Sequence, residues 1–198
     1  MSGAIYPQIP LYLERTFSID EEGSSIIFFV FGFLYATTSP LAGFFSSRIG
    51  RKNVTMIGLA VSGFAWFIFA PLDLFDTFFG GTKVWRLAAV FVAFILIETG
   101  GALAFVPSLP MLIELGSNYG IEEQRLCGLA SGWWNSSVAM GQLLGPLFGA
   151  AVISAFSFQI LTISVSLLYV LSLLMTGIIV LSAYVEPRAV VGNMYHQF

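Results

Sequence analysis

Long apolar stretches separated by short polar breaks set the pattern of this chain. They run over residues 24–47, 54–72, 84–113, 127–156 and 158–185. The breaks are the basic run Arg48-Ile49-Gly50-Arg51-Lys52, residues 73–83, residues 114–125 and a tight turn at Ser157. About 20 mostly apolar residues are what a helix needs to cross the hydrocarbon core of a bilayer. Only helices and closed barrels satisfy every backbone group inside lipid, and runs this long and continuous fit helices. The pattern therefore predicts an all-α transmembrane fold with five complete spans. Residues 3–14 open the chain with a sixth, partial element. Gly3 to Leu13 is apolar, too short to span, and made irregular by Pro7 and Pro10. It reads as the last turns of a helix whose beginning is missing.

Composition changes this picture little. Hydrophobic residues make up 57% of the 198 and charged residues 10%, whereas a soluble domain carries about 25% charged residues. Too few charges remain to build a water-facing surface. The net charge of -3 offers no basic patch for nucleic acid. Cys127 stands alone, so it forms no internal disulfide, and nothing near it suggests a metal site. No phosphate-binding loop or nucleophilic dyad is present, so neither an enzyme nor a cofactor is expected. Glu14, Arg15, Asp20, Glu21 and Glu22 follow the short apolar start, which is not the pattern of a signal peptide. His196 lies in the tail. The sequons at Asn53 and Asn135 should be empty, one at the membrane edge and one within a helix.

Orientation follows from the distribution of Lys and Arg. One side of the membrane receives Arg48, Arg51, Lys52, Arg125 and Arg188, the other Arg15, Lys83 and Arg86. The first side is expected to be cytoplasmic, which places the carboxy terminus there too.

Two motifs carry a resemblance. The loop after the first span reads Gly43-Phe-Phe-Ser-Ser47-Arg48-Ile-Gly50-Arg51-Lys52. The fourth span carries Gly132, Gly141, Gly145, Pro146 and Gly149. The first resembles the G-x3-D-R-x-G-R-K loop of the major facilitator superfamily, with Ser47 where that family often has Asp. The second resembles the glycine motif of its proton-coupled drug and amine exporters, with Ala150 where another Gly is usual. Gly141, Gly145 and Gly149 share one helix face, and small residues there admit a neighbouring backbone; Pro146 bends the helix.

The two six-helix halves of such transporters are pseudo-repeats, so both motifs also fit a first half. Two features favour the second half. The third span lacks an intramembrane Arg with R-x-x-Q-G, and the chain ends soon after its last span. The resemblance then implies the carboxy-terminal half, residues 1–198, with the partial element as the end of helix seven. Within the superfamily the likeness is to the vesicular amine and polyamine transporters. It rests on Val106-Pro107-Ser-Leu-Pro110-Met-Leu-Ile-Glu114, Gly120-Ile-Glu122-Glu123 and Gly128-Leu-Ala-Ser-Gly132.

Glu98 is the one charge deep in a span, near its middle. A carboxylate there costs at least about 2.5 kcal/mol on insertion, so it should face a cavity or a partner. It is the candidate proton or cation site; a structural hydrogen bond to a neighbouring helix is the alternative. Asn135, Gln142 and Trp134 are candidate substrate contacts, the amides as polar lining and the indole as a stacking surface for a cationic amine. Interhelical hydrogen bonding explains the amides equally well. Tyr35 is a further cavity candidate beside Thr37, Thr38 and Ser39. Those three are expected mainly to serve the kink at Pro40, whose ring frees a backbone carbonyl. Pro107 and Pro110 should break the third span. In monoamine transporters an acid stands ten residues before the glycine of the Gly-Pro pair. Asn135 holds that place here, which argues against monoamine exchange and leaves polyamines or other organic cations open.

The implied activity is exchange of a small organic cation for protons across a vesicular or plasma membrane. It requires lipid and either an amino-terminal half or another copy. The alternative is a truncated membrane protein that does not transport and binds or modulates a full-length partner.

Overall fold

A computed structural model describes residues 2–69, 82–117 and 122–195, the side chains of Ser2, Lys83, Glu123 and 183–195 excepted. The expected end of the second span at 70–72, most of the break at 73–83, the centre of the 114–125 break and His196 lie outside the described residues, as does the Arg188 side chain. Among the described residues two short 3-10 turns, Ser2–Ala4 and Tyr6–Gln8, precede seven helices. These are α1 (Ile9–Phe17), α2 (Glu21–Ile49), α3 (Arg51–Phe69), α4 (Lys83–Phe105), α5 (Ser108–Ser117), α6 (Glu123–Ala155) and α7 (Phe158–Tyr195). Among the described residues five spans are long and apolar enough to cross a membrane, α4 and α5 together forming the third, Val84–Ser117. The fold is one six-helix half of the kind expected: five complete spans preceded by a short one. α2, α3 and α6 begin, and α5 ends, about a turn outside the apolar runs, where the helices continue into the polar flanks, and α7 continues to Tyr195, beyond the expected end at 185.

Local chemistry sets the helix ends. Asp20 caps α2 by accepting the Gly23 amide at 2.9 Å. Glu21 and Glu22 in the first turn complement the helix dipole. At the far end Gly50 adopts φ 96°, a conformation that Cβ-bearing residues avoid, and the chain re-enters helix at Arg51. Ser157 separates α6 from α7, and its hydroxyl accepts the Ile160 amide.

Of the two expected proline breaks, the one at Pro107 interrupts a helix and the one at Pro40 does not. Pro40 stays inside α2. Thr37 and Thr38 donate to Leu34 O, while Thr38 and Ser39 donate to Tyr35 O. These hydroxyls back-bond to carbonyls just before the one at Ala36 that proline leaves free. Pro107 interrupts the third span outright, and α5 restarts with the Met111 amide bonded to Pro107 O.

The core forms where α3 lies between α4 and α7. Gly58 and Ser62 of α3 meet Gly100 and Ala104 of α4 almost backbone to backbone, the packing that small residues four apart allow. On the other flank Ser166 of α7 donates to Gly63 O at 2.8 Å. Trp66, Phe94, Leu161 and Val165 fill the interior. Tyr12 of α1 stacks on Phe158 with ring centroids 4.3 Å apart, which pins the partial element to the start of α7. By contrast α6 is the least buried span. Met140, Leu143, Leu144 and Leu147 stand exposed along it, a surface suited to lipid or another helix.

Candidate functional site

α6 leans on the N-terminal turns, α5 and α7 rather than on α2 and α4. This separation leaves a cavity of about 820 Å³, open along one side. Aromatic rings dominate its wall: Tyr6, Phe28, Phe31, Tyr35, Phe105, Trp134 and Tyr169. The polar lining comes from Thr55, Ser108, Ser137, Gln142, Ser172 and Thr176, and among the described lining residues Glu98 is the one that is charged.

Glu98 sits mid-helix in α4 and is 9% exposed. Its Oε1 accepts a hydrogen bond from Tyr6 Oη at 2.6 Å. The donor arrives from the N-terminal turns, 92 residues away in sequence, because the segment carrying it is seated on α6. Gly3 and Ala4 lie across Gly145 and Gly149, so closely that a Cβ on Gly145 would stand 2.9 Å from Ala4 N and one on Gly149 would overlap Ala4 O. Tyr6 begins the second 3-10 turn, with Pro7 next in it, and its ring meets Phe28 of α2 edge-on at 6.3 Å. Three elements thus fix the position of one hydroxyl.

Trp134 lines the cavity from α6; its Nε1 donates to Ser108 Oγ at 2.9 Å and its ring packs on Phe105 at 4.6 Å. This contact bridges the break between α4 and α5. Gln142 and Tyr35 also line the cavity. Asn135 does not: it is exposed and donates to Ser131 O of its own helix. At about 100° per residue the lining arc of α6 runs from Ser137 to Gln142, and Asn135 falls about 20° beyond it. Gly132 lies on the far side from Gly145 and Gly149, and no atom stands within 4 Å of an added Cβ there. Gly141 contributes its carbonyl, 3.2 Å from where a Gly3 Cβ would be.

The basic loop lies away from the cavity. Arg51 pairs with Glu114 of α5 at 3.3 Å, both side chains about half exposed. Arg48 lies over the Phe44 ring at 4.8 Å. Lys52 is half-buried, and Gly43 has open space around it. Tyr6, Ser108 and Tyr169 are cavity residues that the sequence did not single out. Only Tyr6 carried a hint, as a polar-tipped aromatic between prolines in an apolar segment.

A carboxylate in an aromatic wall attracts a cation in two ways, by direct charge and by the ring faces. Among the described residues no group of three His, Cys, Asp or Glu is placed to hold a metal ion.

The model of the Major Facilitator Superfamily matches residues 1–193. The MFS-type transporter SLC18B1 of Rattus norvegicus is 22% identical over 160 residues, 79% of this chain and 34% of the relative. The same protein of Mus musculus matches to the same extent. The Methylenomycin A resistance protein of Streptomyces coelicolor is 28% identical over 144 residues, 72% of this chain and 27% of the relative. The chain thus spans about a third of the length of the curated relatives it matches. No solved structure matches it.

Proposed function

Since the chain belongs to the major facilitator superfamily, we propose that it forms the carboxy-terminal half of a twelve-helix transporter that exchanges a small organic cation for protons. Substrate sites in such folds lie near the midplane, between the two repeats. The cavity described above then forms one wall of that site and opens toward an amino-terminal half. The observation that carries the reading is the placement of Glu98: one carboxylate, mid-span, facing an aromatic cavity rather than lipid. Intramembrane acids that face cavities are the groups that relay protons and bind cations in transporters. In this role Glu98 holds a proton in one half of the cycle and the substrate's charge in the other. Tyr35, Trp134 and Gln142 supply ring faces and an amide around it, and the Arg51–Glu114 pair holds the loop on the cytoplasmic side. The relatives named as an MFS-type transporter and a methylenomycin A resistance protein support transport in general; the cation and the proton come from the cavity's chemistry.

The test is uptake into membrane vesicles that carry this chain together with an amino-terminal half. An acid interior should drive accumulation of radiolabelled spermidine or a cationic dye. Glu98→Gln should abolish gradient-driven accumulation and, because the carboxylate also holds the substrate's charge, weaken exchange of preloaded substrate. Gradient-driven uptake that survives Glu98→Gln would remove the carboxyl from the coupling step.

A further inference from the structure

We infer that Tyr6 positions the Glu98 carboxyl, and that the glycine face of α6 is what places Tyr6. The inference rests on the reading of Glu98 as the proton-exchanging group and adds a route by which a second element controls it. The geometry has three links. Gly145 and Gly149 let the backbone of Gly3 and Ala4 lie directly on α6. Two residues later the chain turns, and Tyr6 Oη reaches Glu98 Oε1 at 2.6 Å. Tyr6 and Glu98 are 92 residues apart in sequence, so the bond ties α4 to whatever position the segment takes on α6.

A methyl group on Gly149 cannot be absorbed by a flexible side chain, because the atoms it meets are the Ala4 carbonyl and Cα. The segment must lift, and the hydroxyl lifts with it. Sliding of α6 against α4 during a transport cycle would break the same bond. The donor therefore makes the carboxyl sensitive to the relative position of these two helices. The titratable side chains that share the cavity with Glu98 are Tyr6 from the N-terminal turns, Tyr35 from α2 and Tyr169 from α7. The described lining residues from α3, α5 and α6 carry no titratable group. Tyr35 lies within electrostatic reach of Glu98, but the hydroxyl bonded to it comes from Tyr6.

The test is chemical labelling of Glu98 in the purified chain in lipid nanodiscs with dicyclohexylcarbodiimide, a hydrophobic reagent for membrane-embedded carboxyls. The rate is read by mass spectrometry of the peptide containing Glu98. Tyr6→Phe keeps the ring and its contact with Phe28 but removes the donor. It should raise the rate about tenfold, in line with a hydrogen bond to an ionised group. Gly149→Ala should raise it comparably, whereas Gly132→Ala, where a methyl meets open space, should leave it unchanged. The double variant Tyr6→Phe/Gly149→Ala should be no faster than either single variant, because both act through one bond. A wild-type rate in Tyr6→Phe overturns the positioning role. A wild-type rate in Gly149→Ala, or a double variant whose effects multiply, overturns the link to α6. None of these readings depends on transport, so they stand apart from the uptake test of Glu98→Gln.

Discussion

Gly58→Ala tests whether α3 and α4 are held by backbone proximity. An alanine Cβ at this site would lie 2.6 Å from the Leu103 carbonyl carbon and 2.7 Å from Gly100 O, and closer still to Ala104 N. Ordinary contact begins at 3.4 Å, so the helices must part by about 1 Å. A gap of that size forfeits a quarter to a half of the dispersion energy of each contact along the crossing. Overpacking of this kind costs about 1–3 kcal/mol, against which alanine's better helix propensity returns at most about 1 kcal/mol. The expected net loss is about 1–2 kcal/mol, measured as equilibrium unfolding by SDS in mixed micelles and followed by circular dichroism. Gly128→Ala on α6 meets nothing within 4 Å and should be neutral or slightly stabilising. Gly100→Ala meets Ser62 Oγ at 2.6 Å and Gly58 O at 3.0 Å across the same crossing. Once one alanine has opened the crossing, the second has less to displace, so the double variant should cost less than the sum of the singles. Gly58→Ala no less stable than Gly128→Ala, or strict additivity in the double variant, would refute the reasoning.

Other sites give independent outcomes in the same assay. Gly50→Ala forces a Cβ onto φ 96° and should cost about 1–3 kcal/mol. Glu114→Gln removes a pair whose side chains are 45% and 48% exposed; it should change stability by less than about 1 kcal/mol, and the difference should vanish in high salt. Trp134→Phe keeps a ring against Phe105 but loses the bond to Ser108. It should cost about 1 kcal/mol and speed hydrogen exchange of the Met111 amide beside the helix break.

The sequence announces the spans because lipid leaves the chain no other way to satisfy its backbone, and 24–47 or 127–156 can be little else. Glu98 is equally readable, as a charge in the wrong solvent that must have a reason. What surrounds it is harder to read. Tyr6 lies 92 residues away in a segment with no helical periodicity of its own, and nothing local marks it as the donor. Asn135 shows the opposite failure. Spacing of seven put it nearly in line with Gln142, but the cavity's edge falls between them, and a difference of about 20° decides which amide faces it. Pattern locates a face of a helix to within about a residue; where that face ends depends on what the neighbouring helices leave open.

The glycines of α6 sharpen this point. Their spacing predicts a smooth face for a neighbouring backbone, and the structure supplies that neighbour as Gly3 and Ala4, in 3-10 turns rather than a regular helix. The choice of partner matters. A close contact between two long spans would only fix their crossing. Contact with irregular, proline-containing turns fixes a single turn of chain, and the side chain that leaves this turn reaches a carboxyl that lines the cavity. Gly145 and Gly149 therefore do more than bring two backbones together. Through one tyrosine they tie the least buried span of the fold to its one intramembrane charge.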